Sequence, residues 1–346
     1  MSTGYFHVVG RSASPDGGIY SYKMDHADAK PVLTSFTHLN EASYLIQSDD
    51  GKLLYASGRT PKEQDGYVAV LKKNRDRTAE LLKLLPSSGI STCHLAVAPG
   101  GNFLYAANYL SGDLVEFLLC DGIMSELTKK IIHHGSGPNV IRQNGAHPHF
   151  VGITPDEKYL YVVDLGIDAL KVYPFHPAKG IDPDGVITSK IIPAGSGPRH
   201  VIWAPDGRMA YLLNELGNTV MSLRHEDGTF EIIDNAPTLP RFFDGESKAA
   251  AIKISPDGHF LFASNRGFDS IACFQLDRKG GMQLYDLVYS GGGSPRDINF
   301  LPGGKMLAAA NESGRVSFFD YDPATGKLMP NGLSFEIPGA LCVFSE

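Results

Sequence analysis

The segment GSGPRHVIWAPDGRMAYLLNELGNTVMSL, residues 195–223, returns in worn form along the whole chain, and a repeat of this kind constrains the fold more than any single motif. It holds a Gly/Pro-rich crossing (195–198), an apolar strand (200–203), a Pro-Asp-Gly turn (205–207), a second strand (209–213), a polar corner (214–218) and a third strand (219–223). Six hairpins align on the turn: LIQSDDGKLLYASGR from Leu45, LAVAPGGNFLYAANY from Leu95, VGITPDEKYLYVVDL from Val151, VIWAPDGRMAYLLNE from Val201, IKISPDGHFLFASNR from Ile252 and INFLPGGKMLAAANE from Ile298. Their turn positions, Gly51, Gly101, Glu157, Gly207, Gly258 and Gly303, recur roughly every 50 residues, a period in the range of propeller repeats. A third alternating run follows each hairpin, and a second turn and fourth strand then complete the unit, as in DGTFEII (227–233) and TGKLMP (325–330). Four antiparallel strands per repeat make a propeller blade.

The ends supply one more blade. Three strand-like runs stand at the N-terminus (5–9, 18–22 and 32–37), and one unpartnered run stands at the C-terminus (341–344). Pairing them would close the ring and remove the open edge that an unclosed array exposes. The sequence therefore predicts an all-β, seven-bladed propeller of four-stranded antiparallel blades, forming one domain over residues 1–346.

Composition agrees with a turn-rich β chain that can bury a core: 42% of residues are hydrophobic, with 38 Gly, 22 Pro, 15 Tyr and 18 Phe. A net charge of -7 and the lack of a long basic run argue against nucleic acid as partner. No charged leader followed by an apolar stretch opens the chain, and no long apolar run offers a membrane span. These features predict a soluble cytoplasmic protein without a membrane partner. They leave its oligomeric state open. Cys93, Cys120, Cys273 and Cys342 are far apart in sequence, form no CxxC pair and read as buried reduced thiols.

Strands alternate in direction, so the crossing before each innermost strand and the corner after each second strand must share one face. The hairpin turns lie on the other. The column that ends the second strand (Gly10, Gly58, Asn108, Asp164, Asn214, Asn265, Asn311) is uniform and reads as scaffold, because Asn, Asp and Gly suit turns. The next column is not uniform: Arg11, Arg59, Tyr109, Leu165, Glu215, Arg266 and Glu312. The column before each innermost strand varies likewise: Ser43, Cys93, His149, Arg199, Ala250 and Arg296. Arg199, Arg266, Arg296, His149 and Glu215 thus converge on the channel mouth, where Arg binds carboxylate or phosphate and His transfers protons. The same residues could instead be solvated loop charges paired with one another. One crossing, GSGPNVIRQNGAHPHF (135–150), is longer and brings Arg142, Gln143 and the HPH triplet to the same face. His147 and His149 lack a third ligand at metal spacing, so no metal is expected. His133 and His134 read as peripheral.

GSGPN, RQNGAHPHFVGITPDEKYLYVVDLGID, AGSGPRHVIWAPDGRMAYLLNELGNTV, SPDGHFLFASNRGFDSIACF and SPRDINFLPGGKMLAAAN together resemble the seven-bladed propeller lactonases, which include propeller-type 6-phosphogluconolactonases and carboxymuconate cyclase. The resemblance covers nearly the whole chain. It implies a metal-independent, cofactor-free lactone site, with His149, Arg199, Glu215 and Arg266 at the family's positions. The chain departs from the family at Ala251, where an acidic residue is frequent, and around Gly10, where VVGRSA replaces a glycine-threonine-tyrosine stretch.

The expected activity is hydrolysis of 6-phospho-D-glucono-1,5-lactone. His149 acts as general base, Arg199 supports the oxyanion, Glu215 orients Arg199 or water, and Arg266 and Arg296 hold the phosphate. His147, Tyr109 and Arg59 complete the substrate-binding set. A dicarboxylate lactone is the alternative substrate. A non-catalytic propeller that binds another protein, through Tyr109 and the loop PRFF (240–243), is the alternative class.

Overall fold

The computed structural model describes residues 4–26, 29–74 and 78–346; the first three residues of the N-terminal stretch lie outside the described residues. Seven antiparallel sheets form a closed propeller. Blade 1 takes its innermost strand, Ala340–Ser345, from the C-terminus and its other three, Gly4–Gly10, Gly18–Met24 and Val32–His38, from the N-terminus. The innermost and second strands of the remaining blades are, in order, Ala42–Gln47 with Leu53–Arg59, Thr92–Val97 with Phe103–Asn108, Pro148–Ile153 with Tyr159–Asp164, Pro198–Trp203 with Met209–Asn214, Lys248–Ile254 with Phe260–Arg266, and Pro295–Phe300 with Met306–Asn311.

Alternating apolar residues on the inner strands pack blade against blade. Seven buried clusters fill the seven blade interfaces; Leu104 and Val115 of blade 3, for example, meet Val68 and Val70 of blade 2. Second strands are buried on both faces, as in Phe103–Asn108, where all six residues are sealed.

Blade 4 departs from four strands. Its outer edge is split into Gly180–Ile181 and Ile187–Ser189, both paired with Ala169–His176. Pro177 and Pro183 stand in this outer segment, and proline cannot donate to a ladder. The turn expected at Gly303 is centred one residue later: the Gly304 N–H bonds the Leu301 carbonyl as the Gly207 N–H bonds that of Ala204. The turn needs a left-handed residue, and Glu157 supplies one at φ 58° without being glycine.

Uniform corner positions are scaffold. Asn108 is sealed and accepts from Ser87 and Thr92 while donating to Asp113. Gly58 stands in the same column because a Cβ there would meet the Tyr67 hydroxyl at 2.3 Å. Two minor expectations change. Cys120 is exposed, at the end of its strand beside the Asp121–Gly122 turn, and Cys93 is half-buried, whereas Cys273 and Cys342 are buried. His133 is buried, held between Asp164 at 2.7 Å and the Tyr173 hydroxyl at 3.0 Å, so it joins blade 3 to blade 4.

Candidate active site

Two backbone devices aim side chains at the channel mouth. Innermost strands of blades 2, 3, 4, 5 and 7 slip register at their second residue, so Ser43, Cys93, His149, Arg199 and Arg296 have no partner in the ladder. Bulges of this kind re-aim side chains. In blade 6 the slip spans Ala250 and Ala251, and in blade 1 it falls at Leu341. Corner residues are tied to the crossings: the N–H groups of Arg11, Arg59, Tyr109, Leu165, Glu215 and Glu312 bond the carbonyls of Gly339, Glu41, Ser91, His147, Gly197 and Ser294. The two variable columns therefore converge on one cavity of about 260 Å³, to which all seven blades contribute. That volume is below the usual 300–1,000 Å³ or so of ligand pockets and suits a small molecule.

Glu215 is the organising carboxylate. It is buried and meets Arg142 at 2.6 Å, Arg199 at 3.0 Å and Arg266 at 2.9 Å. Burial alone would raise its pKa, but Arg266, then Arg199 and Arg142, outweigh burial and hold it well below the usual carboxylate range. Burial and the neighbouring Arg266 and Arg296 lower Arg199, with Glu215 opposing them. The carboxylate at 3.0 Å keeps the guanidinium charged.

Six guanidiniums, Arg11, Arg59, Arg142, Arg199, Arg266 and Arg296, meet three carboxylates, Glu41, Glu215 and Glu312, in or beside the cavity. Three positive charges remain in excess. His149 adds none, because burial first, and then Arg199, pushes its pKa well below the ordinary value. Its Nδ1 is buried without a hydrogen-bond partner. Burial also pushes the Cys93 thiol up to about 12, so this lining residue is not a thiolate at neutral pH.

His149, Glu215, Arg266, Arg296, Tyr109 and Arg59 line the cavity. Arg199 lies beneath Glu215, 2% exposed, and donates to the Ala250 carbonyl and to His200 Nε2 at 3.1 Å. Beside Ala251, backbone carbonyls receive the neighbouring arginines: Ala250 accepts from Arg199, and Ala249 from Arg266 at 3.3 Å. His147 stacks on Tyr109 at 4.5 Å, with both ring nitrogens engaged by the Tyr109 carbonyl and Asn144, and it does not line the cavity.

Arg142, Arg11 and Glu41 also reach the cavity. Arg142 comes from the long crossing, which covers the blade 4 corner: Gln143 donates to the Leu165 carbonyl at 2.9 Å, and Leu165 is sealed. The length of that crossing was the available signal. Arg11 stands in the variable column, whereas nothing in the repeat marks Glu41.

Comparison with known proteins gives a consistent set of relatives. The family model "Lactonase, 7-bladed beta-propeller" matches residues 6–345. A Bacillus subtilis protein named 6-phosphogluconolactonase is 32% identical over 340 residues, covering 94% of this chain and 93% of its own. The structure of a Bacteroides fragilis protein titled a putative 6-phosphogluconolactonase superposes with a TM-score of 0.91 at 29% identity, over 100% of this chain and 98% of its own. A periplasmic gluconolactonase from Pseudomonas aeruginosa gives 0.91 at 26% identity, covering 99% of both chains.

Proposed function

Because this chain belongs to the seven-bladed β-propeller lactonase family, we propose that it hydrolyses an anionic sugar lactone, 6-phospho-D-glucono-1,5-lactone, to the open acid in the cytoplasm. The observation that carries the reading is the excess of guanidinium over carboxylate around a small cavity that also holds a neutral imidazole. Such a cavity binds a small anion. Relatives named for 6-phosphogluconolactone and for gluconolactone support the substrate class.

In this account His149 removes a proton from water as hydroxide adds to the lactone carbonyl carbon. The carbonyl oxygen becomes an oxyanion, for which Arg142 and Arg266 are the cavity-lining cations held beside Glu215. The bond from that carbon to the ring oxygen then breaks, and protonated His149 returns the proton to the leaving oxygen. Arg199, expected to support the oxyanion directly, sits where it fixes Glu215 from below.

The test is a panel of kcat/KM values, each corrected for spontaneous opening. Turnover should be highest for the phosphorylated gluconolactone, lower for glucono-1,5-lactone and lowest for a dicarboxylate muconolactone. A dicarboxylate optimum would exchange the substrate for the alternative one. No turnover of any of the three would remove the lactonase reading of this cavity.

A further inference from the structure

The cationic groups of the cavity form two sets. One is the trio Arg142, Arg199 and Arg266, which converges on the buried Glu215 at 2.6, 3.0 and 2.9 Å. The other is Arg11, Arg59 and Arg296, contributed by blades 1, 2 and 7, with side chains 22–31% exposed. Arg11 and Arg296 share Glu312 Oε1, at 3.6 Å and 3.0 Å, and Arg59 meets Glu41 at 3.2 Å. Among the described residues the Arg11 side chain has no hydrogen-bond partner, since 3.6 Å lies beyond hydrogen-bond distance. Its guanidinium therefore faces the cavity with its donors unspent. Burial first and then Arg296 lower its pKa, Glu312 opposes them, and Arg59 lowers it further against Glu41.

The surrounding backbone is strained to support this set. Glu41, Ser91 and Ser294 are left-handed without being glycine, at φ 49°, 60° and 60°. Each uses its side chain on the cluster: Glu41 and Ser91 receive Arg59, and Ser294 donates to Glu312 at 2.6 Å. Glycine would fill such positions without strain, as Gly197 and Gly339 do in the equivalent places.

We propose that Arg11, Arg59 and Arg296 form a second anion subsite, across the cavity from Glu215, that takes the phosphate of a phosphomonoester while the reacting end of the same molecule lies against His149. This rests on the reading of the cavity as a lactone site, but it moves the phosphate away from Arg266, which stays with Arg142 beside Glu215 at the reacting end. Three guanidiniums against two carboxylates give the subsite a net charge that a gluconate hydroxyl cannot use and a phosphate dianion can.

The experiment is calorimetric titration of the whole protein with the stable product 6-phosphogluconate and, separately, with gluconate. Wild type should bind the phosphorylated acid about a hundredfold more tightly, the worth of two charge-assisted hydrogen bonds. Arg11→Gln and Arg59→Gln should each reduce that preference by about tenfold, and the double variant should remove it. Equal affinity for the two acids in wild type, an unchanged preference in both variants, or no binding of 6-phosphogluconate would each overturn the subsite. Phosphate-selective binding without lactone turnover would instead remove the lactonase reading and leave the subsite standing.

Discussion

His94, His149 and His200 occupy adjoining positions at the top of the channel, His200 lying 5.6 Å from His94 and 5.3 Å from His149, ring to ring. Burial is the first cause that drives all three well below the ordinary histidine pKa, with Arg199 adding to it in each case. Lys253 also lowers His94 and His200, Arg296 lowers His149, and Glu215 alone among the carboxylates opposes the shift at His149. The folded protein therefore keeps these rings neutral, while the unfolded chain takes up protons once the pH falls below about 6.5. The stabilisation is complete above that pH and is lost as pH falls toward the folded values. Up to about 1.4 kcal/mol per histidine per pH unit is at stake. Buried Asp297, raised chiefly by its own burial, works the other way. Denaturant unfolding between pH 7 and pH 5 should show stability falling steeply with acid, and a flat profile would contradict this description of the histidines. A neutral His149 also fits a general base, since only the unprotonated ring can accept a proton.

At the scale of elements, the long crossing between blades 3 and 4 differs most from its counterparts. It covers the blade 4 corner, seals Leu165 and brings Arg142 to Glu215. Gln143 is its anchor: fully buried, it donates to the Leu165 carbonyl and accepts from the Asn139 N–H at 3.1 Å. Gln143→Ala should cost about 1–3 kcal/mol for the buried groups left unpaired. It should also raise KM as Arg142 loses its fixed position. Unchanged stability and unchanged KM would show that the crossing is held by something else. Hairpins and turns were legible in the sequence because strand alternation and the left-handed turn residue are local requirements, and even the exception at Glu157 obeys the turn geometry. The register slips were not legible as slips. A bulge shows in sequence only as one more residue, so Ser43, Cys93, His149, Arg199 and Arg296 read as lying before strands of which they are the second residue. The split edge of blade 4 was hidden for a similar reason, since a proline-interrupted outer strand looks like a loop.

Across the whole molecule, the ring brings residues from opposite ends of the chain to one cavity, and its closure by Ala340–Ser345 against Gly4–Gly10 sets Arg11 beside Glu312. Repeat spacing revealed which columns meet at the channel mouth, because every blade places its corner and its innermost strand alike. Spacing could not reveal who pairs with whom. That one glutamate gathers Arg142, Arg199 and Arg266 depends on side-chain reach across three blades, and that His147 turns away behind Tyr109 depends on its stacking and two hydrogen bonds. The central claim is that this cavity opens a lactone with His149 as base. Its most direct test is the initial rate of opening of freshly generated 6-phosphogluconolactone, read by a coupled phosphogluconate dehydrogenase and corrected for the uncatalysed reaction, in wild type and His149→Ala side by side. The account predicts a wild-type rate well above background and a kcat lower by about 10²–10⁴-fold in the variant, the usual worth of general base catalysis. A variant as fast as wild type, or a wild type no faster than background, would contradict it.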